Sequence, residues 1–201
     1  MRKSCIIIIV LLIANIVNSQ EMIKDKFGQL VPVSFENKIV EIKEYRLPNS
    51  GKYNPEKAVR LLEIMISQKP DYYRGHYNLA LAYSELNLFD RAKANFDKAM
   101  NIREQNNIQD ITIYNSAGFS RLIAQDYKNA EILFKKGIKE KQKNTTTLNR
   151  SLYNNLGLLY FYTQQFDKAS SYLDTAKNKY NSKFTAQTLQ VIEKLKTLKN
   201  K

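Results

Sequence analysis

The sequence has very few of the side chains from which metal sites and nucleophiles are built. Its single cysteine is Cys5, inside an apolar run near the N-terminus, and its single histidine is His76. A lone thiol excludes an intrachain disulfide, and a lone imidazole without a nearby thiol excludes the usual zinc and iron sites. His76 is expected to pack in a helix interface. No metal and no cofactor are predicted.

Motifs that bind phosphates or carry catalytic groups are also missing. Neither the GxxxxGK[ST] loop nor the GxGxxG turn occurs. The stretch GFSRL at 118–122 lacks the second glycine of a nucleophile elbow and reads as helix interior. Glu41 and Glu44 are more simply solvated charges than an acid–base pair. These absences indicate a protein that is not an enzyme.

The N-terminus has the layout of a secretory signal. Residues 1–4 are basic, and residues 5–17 form an almost unbroken apolar run of 13 residues. A membrane-spanning helix needs about 20 such residues, so an uncleaved anchor is the weaker alternative. Small or modest side chains before the boundary predict cleavage between Ser19 and Gln20. Residues 1–19 are therefore predicted to be a signal peptide, and the protein to be exported, either periplasmic or secreted.

The charge balance is strongly positive, with 32 Lys and Arg against 19 Asp and Glu and a net charge of +13. An excess of this size favours acidic partners, anionic membranes or nucleic acid. The lysines are spread along the chain, which is more typical of a solvated surface than of a nucleic-acid footprint, and export makes nucleic acid less expected still. An anionic envelope surface, either lipid or a glycan polymer, remains as an alternative partner.

One pattern is written several times. HYNLALAYSELNLFDRA at 76–92 and YNNLGLLYFYTQQFDKA at 153–169 align position by position. The alanines that open the second half of each unit are 34, 38 and 39 residues apart, and a bulky residue follows each by four. They are Ala58, Ala92, Ala130 and Ala169.

Each unit predicts a hairpin of two helices. His76, Leu79, Ala80 and Tyr83 fall at i, i+3, i+4 and i+7, which is one stripe of a helix. A short turn carrying an aromatic residue follows, and then a second amphipathic helix. We expect the two helices to cross closely where small residues recur, at Ala80, Gly118 and Gly157.

This pattern resembles that of the tetratricopeptide repeat. Residues 73–102 and 150–179 fit it well, whereas 111–140 departs from it at Ala117 and Arg121, where Leu and Tyr are usual. Residues 54–70 look like the second helix of a further repeat. The resemblance implies an all-α protein: a right-handed superhelical array of antiparallel helix hairpins over 54–180, about three and a half repeats long.

The two ends depart from the repeat. Because Pro48 and Gly51 stop a helix, residues 20–53 are predicted to be an irregular N-terminal cap, with at most a short helix over 36–46 and an extended stretch over 31–35. Residues 183–199 are predicted to form a capping helix. Its apolar stripe is Phe184, Leu189, Val191, Ile192, Leu195 and Leu198.

The resemblance also implies a concave inner face, lined by the first helix of each repeat, that binds a protein or peptide partner. The residues opposite the core stripe are candidates for this groove, although they are equally suited to contact neighbouring repeats or the terminal helix. They are Arg74, Tyr77, Leu81, Asn115, Phe119, Leu122, Asn154, Leu158 and Phe161. A Lys/Asn/Arg cluster grips C-terminal carboxylates in some members of the family; it is not predicted here because the first helices lack lysine.

Overall fold

A computed structural model describes residues 21–140, 145–183 and 185–199. Within them the chain forms a two-stranded hairpin followed by nine helices, and the predicted array of helix hairpins is confirmed. The predicted signal peptide and Phe184 lie outside the described residues. The elements are β1 (Met22–Lys24), β2 (Leu30–Pro32), α1 (Val33–Arg46), α2 (Pro55–Gln68), α3 (Tyr73–Glu85), α4 (Phe89–Gln105), α5 (Thr112–Ile123), α6 (Tyr127–Lys139), α7 (Thr146–Tyr162), α8 (Phe166–Tyr180) and α9 (Thr185–Lys199).

Small residues let the paired helices approach, as the sequence predicted. A Cβ atom added at Gly118 of α5 would lie 2.6 Å from the Phe134 ring of α6. At Gly157 of α7 it would lie 2.5 Å from the Leu173 side chain of α8. Ala80 is fully buried in the same slot of α3. The large side chain of each second helix therefore fills the space that the missing side chain leaves.

Three hairpin turns share one backbone conformation. Asn87, Gln125 and Gln164 occupy the same turn position and all have positive φ, at 58°, 61° and 58°. The following N–H donates back to the last turn of the first helix, for example from Gln165 N to the Tyr160 oxygen at 2.8 Å. This is the left-handed termination that ends many helices and satisfies their last carbonyl groups.

The N-terminal segment is more ordered than predicted. Val31 and Pro32 are extended, but Val33 to Phe35 already belong to α1. Because Pro48 and Gly51 force a loop over 47–54, α1 ends six residues earlier than the repeat spacing requires. It nevertheless packs on α2, so the predicted half repeat is completed by an atypical first helix.

The β-hairpin pairs antiparallel in the register Met22↔Pro32, Ile23↔Val31 and Lys24↔Leu30. The side chain of Gln29 attaches it to the array. Its Nε2 donates to the Asp71 carbonyl at 2.9 Å, and its Oε1 accepts from the Tyr73 N–H at 2.8 Å. Phe27 places its ring against Tyr73, with centroids 5.2 Å apart. The hairpin is thereby held beside the N-terminus of α3.

At the other end, α9 packs on α8 in the position of a capping helix. Ile192 is fully buried and Leu189 packs against the core. Val191 and Leu198, placed in the apolar stripe by the sequence, are instead exposed, at 45% and 68%. The predicted apolar stripe was too wide, because α9 packs on α8 along one face and buries only the residues on that face.

Candidate functional site

The candidate site is the surface on which successive first helices meet. α1 contacts α3, α3 contacts α5, and α5 contacts α7 along this face. Polar side chains tie α3 to α5, with Tyr77 Oη 2.9 Å from Ser116 Oγ and Ser84 Oγ 2.7 Å from Ser120 Oγ. Two adjoining grooves open on it. They share one residue, Leu81.

The first groove has a volume of about 540 Å³. The β-hairpin and α1 form one wall, α3 forms the floor, and Asp110 in the loop before α5, with Thr112 at its start, closes the far side. Its lining residues are Lys26, Phe27, Ile39, Val40, Lys43, Arg46, Leu47, Arg74, Tyr77, Asn78, Leu81, Asp110 and Thr112. The lining combines apolar side chains with an excess of cationic ones.

Two of these cations are neutralised within the structure. Arg46 donates from Nη2 to Glu85 Oε1 at 2.6 Å and from Nη1 to Asn78 Oδ1 at 3.0 Å. Arg74 pairs with Glu36. Each pair joins α1 to α3, and each arginine side chain is about one-tenth exposed. These contacts fix the spacing of the two helices.

Asp110 is the acidic member of the lining and is also satisfied. Its Oδ2 accepts from Tyr73 Oη at 2.9 Å, and its Oδ1 accepts from the Thr112 N–H at 2.9 Å. Burial, and secondarily the adjacent Asp110 carboxylate, raise the pKa of Tyr73 well above its ordinary value. The tyrosine is therefore a structural hydrogen-bond donor and not a proton shuttle.

The second groove, between α3 and α5, has a volume of about 350 Å³ and a more apolar centre. Phe119 and Ile123 of α5 stand one helical turn apart, and 44% and 50% of their surfaces remain exposed. The lining consists of Leu81, Ser84, Glu85, Phe89, Asn115, Ser116, Phe119, Ser120 and Ile123. Such a pocket has room for an apolar side chain from another molecule.

Five of the nine predicted groove residues line these two grooves. Arg74 and Tyr77 line the first, Asn115 and Phe119 line the second, and Leu81 lines both. Within this set, Arg74 is buried and ion-paired and Tyr77 is bonded to Ser116, so Leu81 and Phe119 are the members that offer apolar surface.

The other four lie elsewhere. Leu122 is a core residue, 3% exposed. Asn154 donates to Ser182 Oγ at 3.1 Å, toward the loop before α9. Leu158 and Phe161 are half-buried against the core, and the Phe161 ring lies 6.2 Å from that of Phe166. Leu158 and Phe161 thus have packing roles that the repeat pattern alone did not assign.

Ile123, Lys26 and Lys43 line the grooves but were not among the predicted residues. Ile123 follows Phe119 by four residues, so the helical period was sufficient to find it. Lys26 and Lys43 come from the β-hairpin and α1, where no repeat register exists to place them. In the part of the chain that the structure describes, no helix is long and apolar enough to span a bilayer. No group of three or more metal-ligating side chains occurs there either.

Comparison with known proteins agrees with this architecture. The tetratricopeptide repeat family model matches residues 73–106 and 151–178. No curated protein sequence matches the chain. The chain therefore contains tetratricopeptide repeats over these two ranges, within an array of antiparallel helix hairpins.

Several solved structures share the fold at low sequence identity. PilF of Pseudomonas aeruginosa superposes with a TM-score of 0.67 at 15% identity, covering 81% of this chain and 68% of that one. MamA of Desulfovibrio magneticus RS-1 gives 0.56 at 18% identity, covering 82% and 98%. BtubC from P. vanneervenii gives 0.59 at 19% identity, covering 70% and 61%. At these identities the likeness concerns the fold.

Proposed function

We propose that this protein is an exported, non-enzymatic scaffold that holds a segment of a protein partner in the two grooves. The observation that carries the proposal is the exposure of Phe119 and Ile123 at the centre of an apolar groove. Large apolar side chains left half exposed in a concave site are typical of binding surfaces. Repeat solenoids use such surfaces for extended partners.

Groove binding is tested by Phe119→Ala combined with Ile123→Ala. We expect at least a tenfold loss of affinity for a partner recovered from the native cell, because truncating central apolar anchors removes most of an interface's binding energy. Ile132→Ala on α6 is the control, since Ile132 is 54% exposed and lines a separate hollow between α4 and α6, away from both grooves. Equal binding by the folded double variant and the control would reject the groove assignment.

Export is a separate part of the proposal, and its support is the basic start and apolar run of residues 1–19. The test is N-terminal sequencing of the protein isolated from its own cell. Cleavage after Ser19 gives a chain that begins at Gln20. A chain that retains Met1 would contradict processing at this site.

A second candidate function, binding to an anionic envelope surface, is favoured by the way charge is divided along the chain. Residues 20–126 carry 15 Lys and Arg against 14 Asp and Glu, whereas residues 127–201 carry 15 against 5. The positive excess therefore belongs to the later repeats and the capping helix. Exposed Lys177, Lys183 and Lys194 are part of it.

Sedimentation with phosphatidylglycerol vesicles at 50 and 300 mM salt tests this second candidate. Attraction through exposed charges weakens with ionic strength, so binding should fall at the higher salt. Charge reversal to Glu at Lys177, Lys183 and Lys194 should remove it. Reversal at exposed Lys24, Lys38 and Lys98, in the near-neutral half, should not. Absence of salt-sensitive binding would reject this candidate.

A further inference from the structure

The first groove contains an unbalanced positive charge. Four cationic side chains line it (Lys26, Lys43, Arg46 and Arg74), against one acidic side chain, Asp110. Arg46 and Arg74 are held by Glu85 and Glu36, and Asp110 accepts from Tyr73 and Thr112. Of the cations in this lining, Lys26 and Lys43 are the two whose charge no carboxylate balances within the described residues.

Both lysines come from elements outside the matched repeats. Lys26 lies in the turn of the β-hairpin, where its Nζ is 4.5 Å from the centroid of the Phe27 ring. Lys43 is exposed on α1. The Gln29 bonds to Asp71 and Tyr73 hold the hairpin to the array. The N-terminal cap thus presents two ammonium groups at the rim of the groove on a fixed support.

The cationic rim lies beside the apolar pocket. Leu81 lines both grooves, and Phe119 and Ile123 continue the apolar surface from it. A segment lying across Leu81 would place one side chain against Phe119 and Ile123 and its neighbours near Lys26 and Lys43. The chemistry complementary to these two surfaces is an apolar side chain flanked on one side by carboxylates.

We propose that the N-terminal cap makes the groove selective for a partner segment in which acidic residues adjoin an apolar anchor. The inference rests on the proposed function, because the anchor is the group that enters the second groove. Beyond that function, the inference specifies that the partner segment is acidic and that Lys26 and Lys43 recognise its carboxylates. The apolar contact supplies most of the affinity, and the exposed lysines supply discrimination.

The test uses the full chain from Gln20 and fluorescently labelled peptides of 12 residues in a neutral Gly/Ser background. Each contains one Leu-Phe anchor flanked on one side by three Glu, three Gln or three Lys, with both orders prepared. Affinity is measured by fluorescence polarisation at 50 and 300 mM salt. Exposed ion pairs are each worth roughly two- to fivefold. The Glu peptide in one order should therefore bind about 4- to 25-fold tighter than the Gln peptide at low salt, and the Lys peptide should bind most weakly.

Paired variants separate the proposed lysines from the general charge of the cap. Lys26→Glu with Lys43→Glu should reverse the preference so that the Lys peptide binds best. Lys24→Glu with Lys38→Glu is the matched control. It changes the same total charge on the same two elements, at exposed residues that do not line the groove. The control should keep the preference for Glu.

The outcomes distinguish this inference from the proposed function. Equal affinity for the three peptides, all weakened by Phe119→Ala with Ile123→Ala, would leave groove binding intact and overturn the charge selectivity. The charge selectivity would also be overturned if the control variant lost the preference for Glu as fully as the variant at Lys26 and Lys43. Equal binding of a triglutamate peptide without an anchor would indicate general attraction of polyanions and overturn it too. If Phe119→Ala weakens the binding of none of the peptides, the proposed groove function is itself rejected.

Discussion

At the level of single residues, a buried arginine connects two successive hairpins of the array. Arg103, near the end of α4, is 9% exposed. Its Nε donates to the Asp110 carbonyl at 2.8 Å, its Nη1 to Tyr114 Oη at 2.8 Å and its Nη2 to Glu140 Oε2 at 2.5 Å. One guanidinium therefore connects α4, the loop before α5, α5 itself and the end of α6.

Replacing Arg103 by Met should lower the free energy of unfolding by about 2–4 kcal/mol. The substitution keeps roughly the same volume but leaves the Asp110 carbonyl without its donor. It also removes the cation from the Glu140 carboxylate, which then accepts only from Tyr114 Oη, and breaking a largely buried pair in this way is strongly destabilising. Urea denaturation measures the change. Lys93→Met is the control, because the exposed Lys93–Asp97 pair contributes about 0.5 kcal/mol or less. Similar losses in the two variants would contradict a central role for Arg103.

Tyr160 gives the stability an alkaline pH dependence. Burial, and then its hydrogen bond to Glu131 Oε1 at 2.7 Å, raise the pKa of Tyr160 to about 12. The unfolded value is about 10. Because the folded pKa is the higher one, this contribution is complete below pH 10 and is lost as the pH rises from 10 to about 12.

We expect Tyr160→Phe to flatten the fall of unfolding free energy between pH 10 and 12, since the variant has no phenol to ionise. Urea titrations at pH 8, 10, 11 and 12 measure the slope for both proteins. At pH 8 the variant should also be slightly less stable, because Glu131 loses a donor. An unchanged slope would show that Tyr160 is not a source of the alkaline instability.

At the element scale, the hairpin turns place residues other than glycine in the left-handed region. Asn tolerates this conformation, whereas Gln at positions 125 and 164 gains nothing from it. The turn position was recognisable in the sequence as a break between two helical patterns. Its backbone conformation was not, because glutamine carries no signal for positive φ.

Gln164→Gly should therefore raise the free energy of unfolding by about 0.5–1 kcal/mol, since glycine adopts φ near 58° without steric strain. Thermal and urea denaturation measure the gain. Gln165→Gly, one residue later at negative φ, is the matched control and should not stabilise. Destabilisation by Gln164→Gly would show that the turn is unstrained as it stands.

The hairpins were predictable from sequence because single small residues mark where their helices pack. Gly118 faces Phe134 and Gly157 faces Leu173, so a small residue at this position indicates that a large side chain of the second helix packs against it. The N-terminal hairpin had only a local signal, Asp25 followed by Gly28. In the structure Asp25 Oδ1 accepts from the Phe27 and Gln29 N–H groups, and Gly28 takes a φ of 81°. That side-chain turn is short and independent of the repeat period, so periodicity did not reveal it.

The candidate site likewise was predictable only where its residues belong to the repeats. Phe119 was placed on the groove face because it lies opposite the core stripe of α5, and the same helical projection placed Leu122 beside it. Three residues advance a helix by 300°, which carries Leu122 across the edge of the face into the core. Lys26 and Lys43 reach the groove through tertiary packing of the cap, which no repeat pattern encodes.

At the scale of the whole molecule, two surfaces of different character coexist on one solenoid. The earlier repeats are near neutral overall and carry the grooves, and the later repeats with the capping helix carry the positive excess. Stacked repeats contact mainly their neighbours, so the two ends are free to specialise without altering each other's packing. The two proposed functions therefore use different ends of the solenoid, with a protein partner in the grooves and an anionic surface at the basic end.

We propose that the partner lies on the inner face at Phe119, and site-specific photocrosslinking in the native cell can capture it at that position. A photoreactive phenylalanine analogue replaces either Phe119 in the groove or Ile132 on α6, both about half exposed. We expect a discrete partner adduct at position 119, reduced when Ile123→Ala is added, and none at position 132. An adduct at 132 with none at 119 would contradict it.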